Sequence, residues 1–91
     1  MTHRDFRAKV VMVSGAAGGL GAALCRRFAA AGAQIVAVDR DGAGLDRLDA
    51  SLAANAVPVL TLVTDITDVQ ACRAAVDAAL ARFGRLDGLV N

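Results

Sequence analysis

The sequence predicts an α/β fold, a parallel sheet with helices packed on both of its faces. Three observations predict it. Short apolar runs rich in β-branched residues alternate with longer stretches whose apolar residues recur at helical spacing. Glycines cluster at 15, 18, 19 and 21, between the first such run and the first helical stretch. An aspartate, Asp39, closes the second run.

The elements follow in order. AKVVMV (8–13) is a continuous apolar run, as expected for a strand covered on both faces. From Leu20 the period becomes helical, with Leu20, Leu24, Phe28 and Ala31 on one stripe, and Gly32 stands where a helix ends. QIVAVD (34–39) is a second strand. Asp41 is placed to cap a second helix carrying Leu45, Leu48 and Leu52. VPVLTLVT (57–64) is a third strand, with Pro58 near its start, where a missing N–H costs least. Thr67 and Gln70 form a capping-box pair, and Asp68 favours the same helix end by its charge. The third helix carries Val69, Cys72, Val76, Leu80 and Phe83, and Gly84 ends it. LDGLVN (86–91) is a fourth strand. Right-handed crossovers give the strand order 3-2-1-4, with the first two helices on one face and the third on the other. Residues 1–91 make one partial domain, with 1–7 as an N-terminal tail that includes His3.

Composition narrows the function. The chain has 91 residues and a net charge of +1, with no basic stripe, which argues against nucleic acid as a partner. Cys25 and Cys72 stand far apart without a CxxC or a His-rich neighbourhood, so neither a zinc site nor a disulfide framework is indicated. They read as small hydrophobes in a reducing cytosol. No signal peptide or membrane span is visible, which makes the expected setting soluble and cytoplasmic.

The glycines answer two needs of a strand-to-helix turn. Gly15 suits the turn itself, where φ values cheap only for glycine are required. Gly19 lets a pyrophosphate approach the N–H groups at the helix N-terminus, and Gly21 lets helix and strand pack closely. No GK[ST] follows, so this is not a phosphate-binding P-loop. Asp39 lies about 20 residues further on, where a carboxylate accepts from the ribose hydroxyls of a dinucleotide and repels a 2′-phosphate. That pattern is a Rossmann-type site and favours NAD over NADP. Arg40 has three open readings: stacking on adenine, partial neutralisation of a 2′-phosphate, or a solvated turn charge. Asp65 follows the third strand, where it can meet an adenine amino group or bond to its own turn.

Together these residues resemble the short-chain dehydrogenase/reductase family. Its nucleotide loop, TGxxxGxG, is matched by Ser14, Gly15, Gly18, Gly19, Leu20 and Gly21, with Ser for Thr. Asp39 matches the acidic residue of NAD-preferring members. Asp65-Ile66-Thr67 is similar to the adenine-ring motif, and Asn91 is the one residue present of an NNAG motif. The resemblance implies an NAD(P)-dependent oxidoreductase in which this chain supplies the adenosine and pyrophosphate subsites. It also implies a catalytic Tyr-x-x-x-Lys pair with a Ser, yet the sequence has no tyrosine and only Lys9. No catalytic residue is therefore assigned, and the chain reads as ending after the fourth strand of a longer fold. A small-molecule substrate and a homo-oligomer are implied for a complete enzyme. The bare edge of the fourth strand, with Leu86, Leu89 and Val90, predicts self-association of the chain alone. Residues 1–91 do not separate an oxidoreductase from a non-catalytic nucleotide- or partner-binding module. A methyltransferase is disfavoured by the loop spacing and the LVN ending.

Overall fold

A computed structural model describes residues 6–91, so His3 lies outside the described residues. The elements are β1 (Val10–Ser14), α1 (Gly19–Ala30), β2 (Gln34–Asp39), α2 (Gly42–Leu52), a 3-10 turn (Ala53–Asn55), β3 (Val59–Val63), α3 (Val69–Phe83) and β4 (Gly88–Val90). All strand pairs are parallel and the order is β3-β2-β1-β4, as the sequence predicts.

The sheet's two faces build two cores. On one, Val11, Val13, Ile35 and Ala37 pack with Cys25 and Ala29 of α1 and Leu45, Leu48 and Leu52 of α2. On the other, Val10, Met12, Val36 and Val38 meet Ala75 and Ala79 of α3. The expected division of helices, two against one, is thus observed. β1 has helices on both sides, which is why its four apolar residues are all buried.

Strand limits differ from the sequence reading for local reasons. Ala8 takes a left-handed φ of 64°, so β1 begins at Val10 rather than at Ala8. Pro58 lies just before β3, and its carbonyl accepts from Ile35 N at 3.0 Å. Gly32 and Gly84 follow α1 and α3 with φ of 95° and 76°, the left-handed stops expected of them. Phe6 and Arg7 are not part of a loose tail. The Phe6 ring meets Phe28 edge-on at 5.3 Å, and Phe6 N donates to Ala31 O.

Three helix readings are corrected. The buried side of α1 is Cys25 and Ala29, while Leu20 is 78% exposed. Small residues face the sheet, and this holds the helix close to it. Likewise α3 buries Ala75 and Ala79, leaving Val69 and Leu80 exposed. The cap of α3 is also not the Thr67–Gln70 pair. Asp68 is the N-cap, its Oδ1 accepting from Gln70 N at 2.9 Å and Ala71 N at 3.3 Å, so it acts by hydrogen bonding and not by charge alone.

Candidate functional site

The carboxyl ends of β1, β2 and β3 bring most of the sequence-predicted residues to one edge of the sheet. The turn after β1 is made by Gly15, whose φ is 65° and whose carbonyl accepts from Gly18 N at 3.1 Å. α1 then starts with no side-chain cap and no acidic residue in its first turn. The contrast with its neighbours is informative, because Asp41 caps α2 and Asp68 caps α3. A carboxylate on α1 would occupy and repel the very place where its N–H groups and dipole attract an anion.

The glycines divide the work. A Cβ at Gly19 would meet nothing within 4 Å, so that side of the turn is open. A Cβ at Gly21 would lie 2.8 Å from the Gly15 carbonyl carbon and 2.9 Å from Ala16 Cα. Gly21 therefore lets α1 close onto the turn after β1, rather than onto the strand as expected. Gly18 serves as the backbone N-cap. Leu20 projects outward from the first turn.

Asp39 does more than end β2. Its Oδ2 accepts from Ala17 N at 3.0 Å and its Oδ1 from Asp41 N at 2.9 Å. The carboxylate is thereby fixed against the glycine turn, with lone pairs left on both oxygens. This tie was not read from the sequence. The signal for it was the register of a parallel pair, since Ser14 lies opposite Val38 and the next residues of both strands must meet.

Asp65 takes the second of its two readings, the bond to its own turn. Oδ1 accepts from Thr67 N at 2.9 Å and Thr67 Oγ1 at 2.6 Å, closing its own turn. Those bonds, chiefly that from the Thr67 hydroxyl, hold its carboxyl below the usual carboxylate range, with Arg40 adding a smaller effect. Oδ2 faces Arg40 Nη2 at 3.7 Å. Arg40 is thus an ion-pair partner, a role absent from the three read in sequence. Gly15, Asp39, Arg40, Asp65, Ile66 and Thr67 line a cleft of about 150 Å³.

Ser14 and Asn91 pair with each other. Ser14 Oγ lies 3.1 Å from Asn91 Oδ1 and 3.3 Å from Val90 O, so its hydroxyl fastens the end of β4 to β1. Both residues border a second cavity of about 430 Å³, which runs under Ile66 to Cys72 and Val76 of α3. The cleft and the cavity share Thr64 and Ile66 in their walls, so the two lie side by side at the carboxyl edge of the sheet. Cys25, by contrast, is remote from it. Burial pushes its thiol up to about 11, which suits an inert packing residue.

The comparisons agree with this geometry. Residues 9–91 match the family model described as short chain dehydrogenase. The chain is 43% identical over 89 residues to the D-threitol dehydrogenase of Mycolicibacterium smegmatis, covering 96% of this chain and 34% of that one. It is similar to NAD+-bound xylitol dehydrogenase, with a TM-score of 0.91, 33% identity, and coverage of 93% of this chain and 33% of that. A short chain dehydrogenase/reductase from Burkholderia phymatum in complex with NAD gives 0.89, 33%, 93% and 30%. The chain spans about a third of the length of the curated relatives it matches.

Proposed function

The chain belongs to the short-chain dehydrogenase family, and from that premise we propose that it is the dinucleotide-binding part of an NAD(P)-dependent oxidoreductase. The observation that carries the reading is the uncapped N-terminus of α1, open at Gly19 and flanked by the fixed carboxylate of Asp39. The turn 15–19 would hold the pyrophosphate through its N–H groups and the helix dipole. Asp39 would hold the adenosine ribose, its remaining lone pairs accepting from the two hydroxyls. Adenine would enter the cleft lined by Gly15, Asp39, Arg40, Asp65 and Ile66. Ser14 and Asn91 keep β4 in place beside the second cavity, which would receive the nicotinamide end.

A bound nicotinamide supplies hydride transfer. The residues of this chain bind and orient it. None of them is assigned a proton-transfer role, since the sequence has no tyrosine and its one lysine, Lys9, precedes β1 at the opposite edge of the sheet. The small-molecule substrate is then held by groups outside these residues. NAD is preferred to NADP, because a 2′-phosphate would face the Asp39 carboxylate; two similar proteins, the xylitol dehydrogenase and the Burkholderia phymatum enzyme, bind NAD+ or NAD. Free thiols at Cys25 and Cys72 fit a cytoplasmic setting, and exposed apolar residues on α3 and β4 fit a homo-oligomer. Among the described residues no helix is long and apolar enough to cross a membrane.

Calorimetric titration tests the site. Asp39→Ala should weaken NAD binding by about 1–3 kcal/mol, through loss of the two ribose bonds. Unchanged affinity would remove Asp39 from the site, and equal or tighter binding of NADP by the wild type would remove the stated preference.

A further inference from the structure

We propose that Asp65 is a positioning residue that sets the preference between the two nicotinamide dinucleotides by holding Arg40. The inference rests on the dinucleotide reading above and goes beyond it in assigning the choice to a pair of side chains rather than to Asp39 alone.

The charged side chains lining the cleft are Asp39, Arg40 and Asp65. Asp39 is immobile, because each of its oxygens accepts a backbone N–H. The Asp65 carboxylate is immobile too, anchored through Oδ1 by two bonds from Thr67. Arg40 is the member free to move. Its side chain is 75% exposed, and its Nη2 stands 3.7 Å from Asp65 Oδ2, an ion pair rather than a hydrogen bond. A guanidinium is also the group best suited to grip a phosphate, through two parallel N–H donors. Arg40 follows Asp39 directly, and so stands next to the carboxylate where a 2′-phosphate would arrive. With Asp65 present, that guanidinium is drawn to the far side of the cleft. The three side chains together carry one net negative charge, so a 2′-phosphate meets a repulsive cleft and must compete for its one cation.

Asp65→Asn isolates the charge. The asparagine keeps an oxygen in the place of Oδ1, so the Thr67 turn is retained while the attraction for Arg40 is lost. The probes are adenosine 2′,5′-bisphosphate and 5′-AMP, titrated into the full chain. Asp65→Asn should tighten the bisphosphate relative to 5′-AMP by about three- to tenfold, the size of one unit-charge interaction at ~4 Å in water. The double variant Asp65→Asn/Arg40→Ala should lose that gain. Arg40→Ala alone should move the ratio little, since the guanidinium is already engaged. Three results overturn the proposal: an equal change for both probes, a gain that survives without Arg40, or a large loss of bisphosphate selectivity in Arg40→Ala alone. If the wild type binds neither probe, the dinucleotide reading itself falls, and that outcome is distinct from binding without a change in ratio. Should Asp65→Asn fail to fold, Arg40→Ala still decides by the third criterion.

Discussion

The two faces of the sheet are held by different physics. On the α1–α2 face, Leu45, Leu48, Leu52 and Ile35 are almost wholly inaccessible, and small residues bring α1 close to the sheet. On the α3 face, one helix covers the strands with two buried alanines and the partly buried Val76 and Phe83, while Val69, Leu80 and Leu89 remain in water. The β4 flank compensates with polar ties. Asp87 Oδ2 accepts from Val10 N at 2.8 Å, Arg85 grips Asp87 at 2.7 and 2.8 Å, and Ser14 binds the far end of β4. The first face is thus sealed by apolar burial, and the second is fastened by hydrogen bonds at its edge. The glycine turn is built on the sealed face, with Ala16 buried in its core and α1 packed closely on the turn at Gly21.

The largest expected effect would break this contrast if it failed. Leu45→Ala should destabilise the chain by about 2–5 kcal/mol, because it removes a buried side chain from a core with little room to relax. Leu80→Ala, at a half-exposed position, should cost far less in the same urea titration. Comparable losses would mean that α3 is as firmly packed as α2.

A smaller effect sharpens the comparison at the helix ends. Asp68→Ala should cost about 0.5–2 kcal/mol, the usual range for a lost N-cap. Thr67→Ala should cost clearly less by thermal melting, because Thr67 bonds to Asp65 and not to the helix. The reverse order would restore the Thr67–Gln70 capping box.

The smallest effect concerns acid. Arg85, and then the Val10 N–H, hold the Asp87 carboxyl below its ordinary range. A carboxylate whose pKa falls on folding adds stability above its unfolded pKa, and that stability is lost as pH drops through the folded value. Below about pH 4 the wild type should therefore lose melting temperature faster than Asp87→Asn. Parallel curves would show that the tie at β4 contributes nothing that depends on charge.

These cases show what a sequence makes legible. Strand order and the role of Gly15 were readable because each depends on one local property, a run of apolar residues or a required φ. Asp39 was readable as a neighbour of the glycine turn from its place at the end of β2, but its bond to Ala17 was not, since that needs the register of β1 on β2. The Arg40–Asp65 pair was hidden for the same reason, its members lying at the ends of different strands. The faces of α1 and α3 were read in part: Phe28, Val76 and Phe83 do pack against the cores, but the inward alanines were missed because leucine and valine outweigh alanine in a hydropathy pattern. In close helix–sheet packing the small residue is the one that faces inward. The cap at Asp68 was obscured by its neighbours, for TDITD offers several side chains able to accept from a helix N-terminus.

The position of β1 at the centre of the sheet has a consequence for how the chain assembles in time. β1 and β2 are joined by a single helix and can pair as soon as that helix forms. The opposite side of β1 must wait for Asp87, which lies 77 residues from Val10. During synthesis the middle strand is therefore made first and finished last. Its second edge stays open to solvent, or to the edge of another nascent chain, until the most distant segment arrives. Contacts of such long sequence separation are the slowest to form, so docking of β4 is the step at which folding and misassembly compete.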